Sequence, residues 1–188
     1  EYYFTMELTK NISQNTIVKS LLAILLGSIA LTISAKIKIP FYPVPMTMQT
    51  FVVLFLGISL GSKIGLASVG LYLLEGIIGL PVFSNSPEKG VGLIYFMGPT
   101  MGYLIGFLTA SLLASKINNK DGFILVLIKL LIATSTIYIF GLLWLGTLIG
   151  WDKPLFDLGV KPFLLAEAFK IIILTLIAKK IIKIRNFI

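Results

Sequence analysis

The chain contains no cysteine and no histidine among its 188 residues. The lack of cysteine excludes disulfides and thiolate metal sites, and the lack of histidine removes the commonest metal ligand and general base. Charged residues are also few, at 13% of the sequence, whereas a soluble globular protein has about 25%. Together with 57% hydrophobic residues, this composition indicates an integral membrane protein.

Motifs for catalysis are missing as well. The sequence has no His-Glu-x-x-His pattern, no glycine-rich phosphate-binding loop and no pair of carboxylates at helical spacing. Its serine and threonine residues have no histidine to act as their base. We therefore expect that the chain is not an enzyme, binds no metal, needs no cofactor and does not hydrolyse ATP by itself.

Six apolar runs are long enough to cross a membrane, since a spanning helix needs about 20 mainly apolar residues. They cover residues 17–35, 44–61, 63–80, 98–117, 122–148 and 161–182. The first run follows basic residues as a signal peptide would, but other apolar runs follow at once, so we interpret it as the first span. The predicted fold is an all-α integral membrane protein, a single domain of six transmembrane helices over residues 1–188.

Two connections between these spans have distinctive sequences. Gly61-Ser62 predicts a tight turn between the second and third helices. Residues 79–100, between the third and fourth helices, are rich in glycine and proline but also carry many apolar side chains. Because a merely solvated linker would be more polar, we predict a structured outer loop that folds back over the membrane surface.

The formal net charge of +8 follows the pattern of a membrane protein. Its basic residues flank the apolar runs instead of forming a stripe on a polar domain, so we expect membrane lipid and no nucleic acid as a partner. Six spans place both termini on one side, and that side holds most of the Lys and Arg residues. The prediction is a multi-pass protein of the bacterial cytoplasmic membrane with both termini in the cytoplasm.

One pair of charges lies inside the last apolar run. Lys170 is about 12 Å below the outer end of that helix, at 1.5 Å per residue, and an ammonium at the centre of a membrane helix costs about 2.5–3.5 kcal/mol. Glu167 lies three residues earlier, on the same helical face. The pair is either a self-contained ion pair or a ligand site, where the ammonium holds an anion and the carboxylate accepts N–H groups. We favour the ligand site because ionisable residues inside a membrane usually line pathways or sites.

Other polar residues are predicted near the same level of the bundle. Gln49 lies just inside the second helix and Tyr103 just inside the fourth. The alternative for Gln49 is a hydrogen bond between helices, and the alternative for Tyr103 is a place in the interfacial aromatic belt. We predict that both converge with Glu167 on the outer half of the bundle.

Three motifs occur in order along the chain: Tyr42-Pro-Val-Pro-Met-Thr-Met-Gln-Thr50, Gly76-Ile-Ile-Gly-Leu-Pro-Val-Phe-Ser84 and Gly98-Pro-Thr-Met-Gly-Tyr-Leu-Ile-Gly-Phe107. Together they resemble BioY, the biotin-binding S component of energy-coupling factor (ECF) transporters. The resemblance runs from about residue 20 to the end. It implies a six-helix subunit that captures biotin from outside. A transmembrane T component and two ATPase subunits then drive biotin release inward.

The last motif departs from the family pattern. BioY sequences typically read Pro-Gly-Asp-x-x-Lys, and this chain reads Leu165-Ala-Glu-Ala-Phe-Lys170. Lys170 matches directly, while Glu167 replaces aspartate with a side chain one methylene longer. Some relatives also carry arginine where this chain has Leu104, which would leave Lys170 as the cation for a ligand carboxylate.

Biotin offers two ureido N–H groups, a carbonyl, an apolar thioether ring and a carboxylate, so its site needs acceptors, donors, apolar walls and a cation. The candidate site residues that the resemblance implies are Lys170, Glu167, Gln49, Tyr103, Phe83, Ser84 and Thr47. Two alternatives to a biotin S component stay open. One is a self-sufficient biotin transporter or facilitator without ATPase partners, and the other is an S component for another vitamin.

The first helix carries small residues at spacings of three and four, among them Ala23 and Gly27. Such a smooth face permits close helix packing. The resemblance implies that this face docks on the T component. Packing within the bundle itself is the alternative.

Overall fold

The computed structural model describes the backbone of residues 2–187 and the side chains of residues 15–187. These residues are mostly helical, in agreement with the predicted fold class. The elements are α1 (Tyr2–Lys36), β1 (Lys38–Ile39), β2 (Met46–Thr47), α2 (Gln49–Ile77), α3 (Leu93–Phe96), α4 (Met101–Ala114), α5 (Phe123–Ile149), α6 (Leu155–Gly159) and α7 (Leu164–Ile181), with short 3-10 helices at Lys161–Phe163 and Ile182–Phe187.

Helix α2 reverses its direction at Gly61, where φ is +76°, a value that suits glycine because it has no Cβ. The side chains of Gln49 and Tyr72 are hydrogen-bonded at 2.7 Å although they are 23 residues apart. In a straight helix, about 34 Å would separate them. The halves 49–60 and 62–77 therefore lie antiparallel, and the turn falls where Gly61-Ser62 predicts it.

Three helices in the described residues are long and apolar enough to cross a membrane: Asn15–Lys36, Gln49–Ile77 and Phe123–Ile149. Helix α4 is apolar but has only 14 residues, and α7 has 18 residues, Glu167 and Lys170 among them. The apolar helices agree with a membrane protein. The count of six spans stays a prediction, because the two halves of α2 and α4 are each shorter than a straight crossing requires.

A short hairpin takes the place of the first residues of the predicted second span. Strand β1 pairs antiparallel with β2, with Lys38 opposite Thr47, and α2 begins only at Gln49. The prolines between the strands have no N–H to donate to a helix, so residues 44–47 do not join α2. The hairpin brings the backbone of Thr47 to the side of α7.

Glycine residues permit the helices to pack backbone against backbone. A Cβ at Gly102 would lie 2.2 Å from the Phe140 carbonyl oxygen, and one at Gly106 would lie 2.6 Å from the Ile137 Cα. Helix α4 thus packs directly on α5, as small residues allow in membrane proteins. The segment after α2 is held in a similar way, because Gly76 leaves room for the ring of Phe83.

Arg185 and Lys129 hold helices together at the end of the bundle that lies opposite to the hairpin. The Arg185 guanidinium donates to the carbonyl oxygens of Ile58 at 2.8 Å and Ser115 at 2.9 Å, which ties the last residues to α2 and the end of α4. The Lys129 ammonium donates to the Asp121 carboxylate at 2.6 Å. This bond and the Asn118 N–H hold the pKa of Asp121 below its ordinary value. Both basic residues thus find partners at a helix end.

Candidate ligand-binding site

A cavity lies between α2, α4, α5, α7 and the hairpin. Its walls are mainly apolar and aromatic, with a few polar groups that include Gln49, Thr50, Ser84 and Glu167. This combination is typical of sites for small organic molecules.

Glu167 and Lys170 form an ion pair within α7. The Lys170 Nζ lies 2.8 Å from Glu167 Oε1, and the two side chains are 6% and 7% exposed. Lys170 also donates to the Thr47 carbonyl at 2.7 Å and to Thr50 Oγ1 at 2.9 Å. Each of the three N–H groups of the ammonium therefore has an acceptor, and the charge is satisfied without any ligand.

The carboxylate of Glu167 is only half satisfied. Its Oε1 accepts from Thr50 Oγ1 and from Lys170, each at 2.8 Å. Its Oε2 is buried and has no hydrogen-bond partner among the described residues. The hydroxyl group of Tyr138 is near the carboxylate but does not form a hydrogen bond of ordinary geometry with it. A buried acceptor without a partner is costly, and Glu167 lies on the cavity wall, so an N–H of a ligand is the natural partner.

Gln49 forms a hydrogen bond between the two halves of α2 and also lies on the cavity wall. Its amide nitrogen donates to the Tyr72 hydroxyl at 2.7 Å, and its amide oxygen accepts from Thr47 Oγ1 at 3.1 Å. The side chain thus joins the two halves of α2 and also lines the cavity. One N–H of the amide stays available for a ligand.

Tyr103 is a buried wall residue and does not lie in an interfacial belt. Its side chain is 6% exposed, and its hydroxyl donates to the Gly159 carbonyl at 2.9 Å. The ring packs edge-on against Tyr138, with the ring centres 6.0 Å apart. The hydroxyl is engaged, so Tyr103 offers the cavity an aromatic surface.

Ser84 lines the cavity, with its Oγ 3.2 Å from the Tyr95 hydroxyl. Phe83 lies behind it, 1% exposed, and its ring contacts Tyr72 and Tyr95 with ring centres 5.3 and 4.7 Å away. The sequence assigned Phe83 to the cavity wall, and the structure places it one layer deeper. The reason is the space at Gly76, which the ring fills.

Sequence reasoning missed Thr50 and Tyr138. Thr50 ends the first motif and bonds to both members of the ion pair. Tyr138 lines the cavity from α5, where it packs on Phe163 at 6.2 Å between ring centres. A tyrosine deep inside an apolar run was the signal for it, because its hydroxyl needs a polar partner there.

The structure places Gly27 inside the protein. A Cβ at this position would lie 2.6 Å from Ser68 Oγ, so Gly27 permits α1 to pack closely on α2. Ala23 is half-buried at the edge of that contact, and the outer surface of α1 carries Leu22 and Leu26, which are 54% and 65% exposed. Of the predicted docking pair, only Ala23 is accessible from outside.

A helical membrane protein with an apolar cavity and a few convergent polar groups belongs to the class that binds small molecules within the membrane. Residues 6–187 match the model of the BioY family. The chain therefore belongs to this family. The resemblance that the three motifs suggested is thereby confirmed.

Several relatives cover most of the chain. It is 35% identical to the probable biotin transporter BioY of Pyrococcus horikoshii, over 81% of this chain and 90% of that protein. It is 35% identical to the biotin transporter BioY of Thermotoga maritima, over 82% and 90%, and 32% identical to the biotin transporter BioY2 of Lactococcus lactis, over 90% and 93%. These relatives are named as transporters, which agrees with the prediction that the chain is not an enzyme.

A solved structure shares the fold. The crystal structure at 2.1 Å of the S component for biotin from an ECF-type ABC transporter matches with a TM-score of 0.73 and 28% identity. The match covers 90% of this chain and 93% of that one. The chain therefore has the fold of that S component.

Proposed function

We propose that this chain captures biotin and serves its uptake as the substrate-binding subunit of an ECF-type transporter. The observation that carries the proposal is the half-satisfied Glu167 carboxylate on the wall of a cavity lined by aromatic and polar side chains. Membership of the BioY family supports biotin as the ligand. The absence of a phosphate-binding loop in the sequence fits a subunit that takes its energy from partners.

Within the cavity, a ureido N–H of biotin would donate to Glu167 Oε2. The apolar thioether ring would lie among the aromatic walls, which include Tyr103, Tyr138 and Phe163. The N–H of Gln49 that stays available and the Ser84 hydroxyl are further polar partners on the same wall. This set supplies an acceptor, donors and apolar contacts in one place.

The carboxylate of biotin belongs away from Glu167 in this arrangement. A second carboxylate beside Glu167 would be repelled by its charge, and the three N–H groups of Lys170 are already in use. The sequence suggested Lys170 as the cation for the ligand carboxylate. We instead assign Lys170 the role of neutralising and holding Glu167.

The assembly that we propose follows the S-component match. The chain forms one domain of six membrane segments, if the two halves of α2 each count as one. It lies in the cytoplasmic membrane with both termini in the cytoplasm, and works with a T component and two ATPase subunits. The cavity opens toward the hairpin and the 79–100 loop, which we place on the outer face.

Binding is tested with the purified protein, freed of any bound molecule and held in detergent micelles. Isothermal titration should give one biotin per chain, and other vitamins should give no heat of binding. Tight binding of another vitamin in place of biotin would contradict the ligand assignment. Vesicles that contain only this chain provide the second test: rapid biotin accumulation without ATP would identify a self-sufficient transporter instead.

A further inference from the structure

Thr50 is hydrogen-bonded to both members of the Glu167–Lys170 ion pair. We infer that Thr50 is a positioning residue, whose hydroxyl fixes Glu167 so that one carboxylate oxygen is kept for the N–H group of the ligand. The inference rests on the proposed function, because it assumes that biotin donates to Glu167. It adds a residue that does not need to touch biotin yet determines how well the site distinguishes it.

The side chains of Thr50, Lys170 and Glu167 form a triangle of three hydrogen bonds. Thr50 Oγ1 donates to Glu167 Oε1 at 2.8 Å and accepts from the Lys170 ammonium at 2.9 Å. The third side is the 2.8 Å bond between Lys170 and Glu167. A hydroxyl group is suited to this position because it donates and accepts at the same time.

The triangle of hydrogen bonds fixes one oxygen of the carboxylate and leaves the other free. Both bonds to Glu167 end on Oε1, while Oε2 has no partner among the described residues. Thr50 is on the first turn of α2 and Glu167 on α7, so the bond also holds the two helices in register at the cavity. Without it, the carboxylate would keep Lys170 but could rotate and share both oxygens with the ammonium.

The side chain of threonine is needed here for its hydroxyl and not for its shape. Valine has nearly the same volume but can neither donate nor accept. Thr50→Val therefore removes two hydrogen bonds of the triangle while the surrounding packing is kept. Thr50→Ser keeps the hydroxyl and loses one methyl group, which makes it the conservative counterpart.

The test compares biotin with biotin methylated at one or the other ureido nitrogen, by titration of the full chain in detergent. Thr50→Val should weaken biotin binding roughly tenfold, the effect of one hydrogen bond to a charged group. The derivative methylated at the nitrogen whose N–H would donate to Glu167 should lose much less affinity. The preference for biotin over this derivative should therefore shrink about tenfold, and Thr50→Ser should restore it to within about twofold of the unchanged protein.

Thr175→Val is the matched control, because it removes a buried hydroxyl of α7 whose hydrogen bond within the described part of the chain goes to the Ile171 carbonyl of its own helix. It should leave biotin affinity unchanged. The inference is overturned if Thr50→Val binds biotin like the unchanged protein, if it weakens biotin and both methylated derivatives equally, or if Thr50→Ser does not rescue binding. If the unchanged protein fails to bind biotin, the proposed function itself is wrong, and that outcome is visible before any variant is compared.

Discussion

The Lys170 ammonium contacts the Glu167 carboxylate within a single turn of α7, with both side chains less than a tenth exposed. Lys170 is also the residue that links the last helix to the Thr47 carbonyl in the hairpin. One side chain therefore neutralises the proposed ligand acceptor and fixes the wall of the cavity that faces the hairpin.

Lys170→Ala should weaken biotin binding about ten- to hundredfold, the range for a lost hydrogen bond to a charged group. The substitution removes the cation and one of the two hydrogen bonds that hold Glu167 Oε1, so the carboxylate is no longer fixed toward the ligand. Lys129→Ala is the control, since Lys129 pairs with Asp121 at the far end of the bundle. Binding is measured by titration after a melting curve has shown that both variants are folded. Equal affinity of the two variants would contradict the role of Lys170.

Glu167→Gln should weaken biotin binding at least tenfold while the shape of the site is nearly kept. The amide that replaces the carboxylate is a weaker acceptor and brings an N–H₂ group that can face the ureido N–H. Glu75→Gln is the matched control, because Glu75 is bonded to Ser28 on the α1 side and does not line the cavity. If Glu167→Gln binds biotin as tightly as the Glu75 variant does, the ureido group does not donate to Glu167.

The loop between Gly79 and Met97 should become better protected from hydrogen exchange when biotin binds. Part of it is already held, since Lys36 donates to the carbonyl oxygens of Phe83 and Ser86 at 2.7 and 2.8 Å. Ser84 lies on the cavity wall, so a bound ligand adds contacts to this segment, and fewer openings slow exchange. Amides of residues 116–121, which are at the far end, provide the control. Unchanged exchange in the loop at saturating biotin would contradict a contact between this segment and the ligand.

The sequence alone identified those residues of the site that are unusual inside a membrane helix. Glu167 and Lys170 could be picked out because charges are costly inside an apolar run. Thr50 could not, because a threonine in an apolar helix usually bonds to the backbone of its own helix, whereas its partners here are 117 and 120 residues away. Only the tertiary structure brings these three residues together.

The fold likewise has features that the sequence predicts and features that it does not. The reversal at Gly61 was predictable from a Gly-Ser pair between two apolar runs. The depth of Phe83 was not, because it depends on the space left by Gly76 in another element. Periodicity and turn residues thus predict where helices begin and end. They do not tell which of two faces of a loop meets the core.

The last prediction concerns α1, where the sequence left docking and internal packing open. Gly27→Leu should lower the melting temperature and biotin binding of the isolated chain, because even a Cβ there would come within 2.6 Å of Ser68 Oγ. Overpacking of this kind typically costs about 1–3 kcal/mol.

Ala23→Leu adds the larger side chain at the edge of the same helix face and should leave both properties close to those of the unchanged protein. Melting curves and biotin titration of the two variants, without partner subunits, make the comparison. If Gly27→Leu is as stable as Ala23→Leu, the close α1–α2 contact does not support the bundle. Co-purification with a T component is then the measurement for Ala23→Leu: loss of assembly with intact biotin binding would assign the exposed edge of this face to the partner, because the cavity is built from other helices.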